Sequence, residues 1–166
     1  MNWFWLPFFW LGLFSRAPSA ARALRAADSA DCARLHAQSF AHAWSAHEFE
    51  SLLSDPACSG EAAEGMFGVE GFVLSRVALD EAEVLTIMVE HSARKKGCAQ
   101  RLLAAHLARL AGRGVRALFL EVDETNVAAL ALYRRNGFVQ VGLRKGYYVK
   151  SDGTRANALA MRKDLA

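Results

Sequence analysis

Residues 82–114 read AEVLTIMV, EHSARKKGCAQ and RLLAAHLARLAGRG in succession: an apolar run, a basic loop and a periodic segment. Ala82 to Val89 is rich in β-branched and large aliphatic side chains, which predicts a strand. From Gly97 onward Leu102, Leu103, His106, Leu107 and Leu110 recur at helical spacing, and Gly112-Arg113-Gly114 closes the helix. The loop between them, Arg94-Lys95-Lys96-Gly97-Cys98-Ala99-Gln100, therefore sits at a helix N-terminus. Unpaired N–H groups and roughly half a positive charge collect there. A glycine lets the backbone approach a phosphate, and three cations add attraction, so the loop suits an anion such as a pyrophosphate. A basic surface turn ahead of an ordinary helix reads equally well. The loop carries neither G-x-x-x-x-G-K-[ST] nor G-x-G-x-x-G.

Working outward, Ala23–Ala26 predicts a short strand. A helix follows from Asp28, with Asp31 in capping-box position and Cys32, Leu35 and Phe40 on its apolar side. Ser45-Ala46-His47-Glu48 is a second capping box, opening a helix that ends near Asp55-Pro56. Glu64-Gly65 predicts a turn. Phe67–Ala78 predicts a strand that Leu79-Asp80-Glu81 folds back into Ala82–Val89 as an antiparallel hairpin. Downstream, Ala117–Val122 predicts a buried strand. Asn126 caps a helix to Arg135 that Asn136-Gly137 ends. Phe138–Val141 and Ala156–Met161 are two last strands joined through Ser151-Asp152-Gly153. This order predicts a mixed sheet with helices on both sides, of the α/β or α+β class.

With 166 residues the chain has room for one domain, here residues 22–166. At 53% hydrophobic and 22% charged it has the composition of a globular protein and not of a disordered one. Alanine supplies 31 of the apolar residues, which predicts a helix-rich, thin core. A net charge of +3 is too mild to argue for nucleic acid. Cys32, Cys58 and Cys98 are odd in number and lack a C-x-x-C pair, against a disulfide scaffold or a zinc ribbon. The five histidines form no H-E-x-x-H, so no metal site is expected.

Residues 1–21 stand apart. MNWFWLPFFWLGLF holds three of the four tryptophans and no charged side chain, and Ser15–Ala21 reads as a linker. Crossing the hydrocarbon takes about 20 apolar residues; this run is shorter and is broken by Pro7. A secretory signal would have the apolar length but lacks a basic start. Folding back over the protein's own apolar surface, or loose association, ranks first, a signal second, and membrane contact through the leader is the lesser reading.

Four further positions carry candidate chemistry. Glu121, within LFLEVDETN, is a carboxylate in an apolar strand, costly unless it faces a cleft or has a partner. It is a candidate general base; the alternative is exposure at the strand end or pairing with an arginine such as Arg144. Asp123 and Glu124 read as loop and cap residues. Tyr133 sits among helical apolar positions, as core or as a proton donor to a departing thiolate. Tyr147 and Tyr148, adjacent on an extended segment, are expected to face opposite ways, one packing and one lining a groove. Trp44, just before a helix, reads as a hydrophobic staple or a groove wall.

Together R-K-K-G-C-A, L-E-V-D-E-T-N and A-L-Y-R-R-N-G-F at their spacing resemble the GCN5-related N-acetyltransferases (GNAT) over roughly residues 22–165. Trp44-Ser45 and Lys145-Gly146-Tyr147-Tyr148 are similar to the RimI-type branch, which acetylates the N-terminal alanine of a small-subunit ribosomal protein. The resemblance implies a mostly antiparallel sheet with a splayed central strand pair. It implies acetyl-CoA as co-substrate and no metal, with backbone contacts at Ile87, Met88 and Val89. Pyrophosphate contacts would run from Arg94 through Lys95, Lys96, Gly97, Cys98, Ala99 and Gln100, with Asn126 besides. Glu121 would be the general base and Tyr133 the general acid; Trp44, Tyr147 and Tyr148 would meet the acceptor. The implied partner is a protein N-terminus in the cytoplasm, without direct nucleic-acid contact. The alternatives are a GNAT enzyme of a small-molecule amine and a non-catalytic acyl-CoA-binding module. Cys98 takes the variable position of the signature, as filler or as a thiol activated by the helix end.

Overall fold

The computed structural model describes residues 21–40, 42–149 and 153–165; the apolar leader lies outside them. Seven strands form one sheet: β1 (Arg22–Ala23), β2 (Cys58–Gly65), β3 (Gly68–Ala78), β4 (Glu81–Val89), β5 (Ala117–Asp123), β6 (Val139–Val149) and β7 (Arg155–Asp164). Their spatial order is β1-β2-β3-β4-β5-β7-β6. Every neighbouring pair is antiparallel except β4 and β5. Among the described residues four α-helices accompany the sheet: α1 (Ser29–Ala37), α2 (Ala46–Ser54), α3 (Cys98–Gly112) and α4 (Val127–Arg135).

The helices lie on both faces. Under α1 and α2, Cys32, Leu35 and Phe49 pack on Ala62, Phe72, Leu74 and Met88. On the other face Leu103 and Leu110 of α3 and Leu130, Leu132 and Tyr133 of α4 pack on Leu118, Leu120, Val122, Leu159 and Met161. Side chains alternate along a strand. The even-numbered positions of β5 therefore point to α3 and α4, and Phe119 and Glu121 point to the face of α1 and α2.

The parallel pair is the irregular part. β4 meets β5 only at Glu81–Ala117, Ala82–Leu118 and Glu83–Phe119. On its other edge β4 stays paired with β3 to Val89, but Ser75 faces Val84 and Leu74 faces Thr86, so Leu85 is an extra residue. A bulge of this kind bends its strand. From there the two parallel strands part.

Several sequence expectations need correction. The first strand is only Arg22–Ala23, followed by a short 3-10 turn over Ala26–Asp28. Asp28 stands before α1 but gives it no side-chain cap; its carboxylate accepts from Arg22 and from the Arg25 N–H. Asp31 is no capping-box partner either, since it accepts from the Val69 N–H and pairs with Arg34. Phe40 lies beyond α1, 46% exposed, stacked on His36. Glu64-Gly65 ends a strand instead of turning; the turn comes at Met66-Phe67. The last two strands run well beyond the predicted cores. Ser45, by contrast, caps α2 in a reciprocal box with Glu48, and Trp44 staples to Phe49 with ring centroids 5.4 Å apart.

Candidate active site

The gap between β4 and β5 is lined first by backbone. The Glu90 N–H donates to the Glu70 carbonyl of β3, at 2.7 Å. Hydrogen-bonding direction alternates along a strand, so Ile87 and Val89 turn their N–H and C=O groups to the parted edge. Arg94 Nε donates to the Val89 carbonyl at 3.0 Å. Met88 puts its side chain into the cluster under α1 and α2.

Beyond β4 the chain makes a short 3-10 turn, His91–Ala93, and reaches the basic loop. Lys95 and Gly97 both take left-handed backbone conformations, φ 62° and 76°. Gly97 is the N-cap of α3 and has no side chain with which to satisfy the first turn, and no acidic residue lies there. Those N–H groups face outward into a turn in which Arg94, Lys95, Lys96 and Gly97 are all exposed. Left-handed residues ahead of an uncapped helix N-terminus make a turn of the kind that can cradle an anion. Arg101 Nη1 braces it by donating to the Lys96 carbonyl at 3.0 Å.

Cys98 departs from its activated reading. It is 2% exposed, packed with Ala63, Val73 and Leu102. Burial, and after it the Glu70 carboxylate, push its thiol up, opposite to activation. Only its backbone can serve the cradle. Ala99 is partly buried against the α3–α4 cluster. Gln100 is turned to Asn136, the two amides exchanging hydrogen bonds at 2.9 Å. Asn126 caps α4, accepting from the Ala129 N–H at 3.1 Å.

Glu121 lies on the uncovered face of β5, its side chain 26% exposed, and accepts from Arg144 Nη1 of β6 at 2.8 Å. The pairing weighed at the sequence level is thus present. Arg144 also sits over the Tyr147 ring, 5.1 Å from its centroid. Tyr147 and Tyr148 do not face opposite ways: their rings meet edge to face at 5.2 Å. The reason is a break in the β6–β7 register between Arg144 and Tyr148, where Gly146 adopts φ 60°. Tyr147 is 51% exposed and Tyr148 half-buried. Burial raises the Tyr148 phenol, and Glu121, Tyr147 and Asp123 add to it through their charges. Tyr133, 5% exposed, leans on Phe138 and is pushed up to about 12 by burial first and by Tyr148 second. Tyr148 is the electrostatic neighbour of Glu121 and of Tyr133. Trp44 packs between His36 and Phe49, and its backbone N–H donates to His36 Nδ1 at 3.1 Å.

A supporting residue escaped the sequence reading. Asn157 of β7 accepts from the Gly146 N–H at 2.9 Å and donates to Glu124 at 3.0 Å, fixing the tyrosine segment to the end of β5. Its signal was an amide in the otherwise apolar run ANALAM.

The model of the acetyltransferase (GNAT) family matches residues 29–138. N-alpha-acetyltransferase RimI of Mycobacterium tuberculosis is 39% identical over 155 residues, 89% of this chain and 93% of that protein. The [ribosomal protein bS18]-alanine N-acetyltransferase of Haemophilus ducreyi is 39% identical over 90 residues, which spans 54% of this chain and 62% of that relative. The crystal structure of the ribosomal-protein-S18-alanine N-acetyltransferase from Escherichia coli superposes with a TM-score of 0.81 at 28% identity, covering 89% of this chain and 94% of that one. Family model, near-full-length relative and backbone superposition agree, and the chain belongs to the acetyltransferase (GNAT) family.

Proposed function

We propose that this protein uses acetyl-CoA to acetylate the N-terminal α-amine, alanine by preference, of a small-subunit ribosomal protein in the cytoplasm. The acceptor is argued from the names of the relatives and from the tyrosine-lined, uncovered face of β5 to β7. The observation that carries the chemistry is the parting of β4 from β5 beside a glycine-led anion cradle, with Glu121 on the open face.

The residues fit acetyl-CoA. Ile87 and Val89 offer backbone groups along which a pantetheine arm can lie as an added strand, Met88 between them. The N–H groups from Arg94 to Gln100 offer a seat for a pyrophosphate, with Lys95 and Lys96 adding charge and Asn126 at the start of α4 beside the path. Bound there, acetyl-CoA supplies an activated thioester.

A free α-amine has a pKa near 8, so at neutral pH it is mostly protonated and cannot attack. Glu121, through water, removes that proton. The Val89 N–H, facing the gap, is placed to stabilise the oxyanion. Tyr133 keeps its proton throughout the neutral range because its pKa is about 12. It gives that proton to the sulfur as the C–S bond breaks, and the N–H proton lost when the amide forms restores the phenol. Tyr147 and Tyr148 hold the acceptor backbone at the mouth of the site.

Mass spectrometry tests this with three acceptors: an Ala-starting peptide, an N-blocked peptide containing lysine, and a polyamine. Acetylation of the alanine α-amine is expected. A lysine-only or polyamine-only product replaces the peptide-terminus reading with the small-amine one, and no transfer at all favours a binding module. Glu121→Gln and Tyr133→Phe should each lower turnover by roughly 10²–10⁴-fold; near-wild-type rates in both remove their roles.

A further inference from the structure

Glu121 and Arg144 present opposite charges side by side on the uncovered face of the sheet. Arg144 Nη1 donates to Glu121 Oε1 at 2.8 Å, and the two side chains are 26% and 59% exposed, Glu121 the lesser. The register brings them together: Glu121 pairs with Ala160 and Arg144 with Ala158, two positions apart on one face of β7. The Tyr147 ring braces the guanidinium, its centroid 5.1 Å from the guanidinium carbon. Among the described residues Nη1 alone of the Arg144 nitrogens has a hydrogen-bond partner, so Nε and Nη2 keep their donors for an incoming group. Glu121 Oε2 likewise accepts from no described residue.

The two charges match one end of a peptide. Three bonds separate an α-nitrogen from the carbonyl oxygen of its own residue, so the two atoms lie about 3 Å apart. An α-amine drawn to Glu121 therefore carries that carbonyl to the neighbouring guanidinium. The ε-amine of a lysine, or a polyamine, brings methylene groups to the same place. An exposed ion pair adds at most about 1 kcal/mol to stability, so holding the fold is a small part of what this arginine can do.

We infer that Arg144 is a specificity-determining residue: with Nη1 on Glu121, a second guanidinium N–H donates to the carbonyl oxygen of the acceptor's first residue and favours a peptide terminus over an amine that lacks this carbonyl. This rests on the peptide-acetylating reading above and names the group that selects the α-amine. It assigns Arg144 to the acceptor and not to the coenzyme.

The test compares wild type, Arg144→Leu and Arg144→Lys as full chains at about pH 8, far above the range in which carboxylates titrate. Two acceptors are used: an Ala-starting peptide, and the same peptide with its first carbonyl reduced to methylene. In Arg144→Leu the kcat/KM for the intact peptide should fall about 10-fold, the scale of one lost charge-assisted hydrogen bond. For the reduced peptide it should stay within about 2-fold of wild type, because no carbonyl is there to lose. Arg144→Lys, a point charge without the planar fork, should fall between the two. Melting temperature, coenzyme A affinity and the KM for acetyl-CoA should match wild type in both variants. An equal loss on both peptides overturns the inference, since Arg144 would then act through Glu121 or Tyr147 and not on the carbonyl. An unchanged or faster reaction of the intact peptide in Arg144→Leu overturns it too, as does a joint fall in melting temperature, coenzyme affinity and activity. A wild-type protein that acetylates no peptide removes the acceptor reading itself, and this contact with it, before any variant is measured.

Discussion

Glu61 of β2 is 1% exposed and meets Arg109 of α3 through two hydrogen bonds, Nε to Oε1 and Nη2 to Oε2. His106 Nδ1 stands 3.9 Å from Glu61 Oε1, and His106 Nε2 pairs with Ser75 Oγ at 2.8 Å. Serine, histidine and carboxylate thus lie in line as in a hydrolase, yet Ser75 and His106 are wholly buried and no substrate can reach them. The group is a polar strut between α3 and strands β2 and β3. Burial pushes the Glu61 carboxyl up, but His106 and Arg109 more than offset it and hold it below the usual range. A depressed folded pKa means stability present above the unfolded value of about 4.3 and lost as pH falls through the folded one. Glu61→Gln should therefore cost about 2 kcal/mol at pH 7, a reduced figure for a broken buried pair because Arg109 is 44% exposed. The gap in melting temperature to wild type should close toward pH 3, and a pH-independent gap would contradict the assignment. None of this strut is legible in the sequence. Its members come from three elements, and β2, with the composition CSGEAAEG, carries no strand signal of its own.

At the scale of the element, what could be read was what is local. The Ser45 box, the Trp44–Phe49 staple, the β3–β4 hairpin, α3 and the Asn126 cap all depend on side chains a few residues apart. β1 and β2 exist only because the sheet supplies partners, and the bulge at Leu85 is a matter of register that no single-strand pattern reveals. Gly97 joins both kinds of information. Its place in the motif is visible in the sequence; its φ of 76° is visible only in the backbone. Alanine there must take a left-handed conformation, costing about 1–2 kcal/mol, and its Cβ would meet Arg101 Nη1 at 3.2 Å. The chain can escape that cost by reshaping the cradle. Gly97→Ala is expected to weaken coenzyme A binding about 10-fold while α3 still forms, as circular dichroism would report. Unchanged affinity would show that the cradle is not the phosphate seat.

For the whole molecule, the sequence order of elements was enough to predict a mixed sheet covered on both faces. It could not say which face each strand position takes, because one extra residue at a bulge exchanges the faces. That is why the tyrosine pair was expected on opposite sides and is found edge to face. The site is a product of the sheet's irregularities: a bulge that separates β4 from β5, and a break in the β6–β7 register that turns two aromatic rings and Arg144 toward the uncovered face. All of its proposed chemistry depends on coenzyme A entering that separation. Calorimetric titration of coenzyme A into the folded protein tests this most directly. The account predicts saturable one-to-one binding that persists in Glu121→Gln and Tyr133→Phe; absence of saturable binding in protein shown to be folded would contradict it.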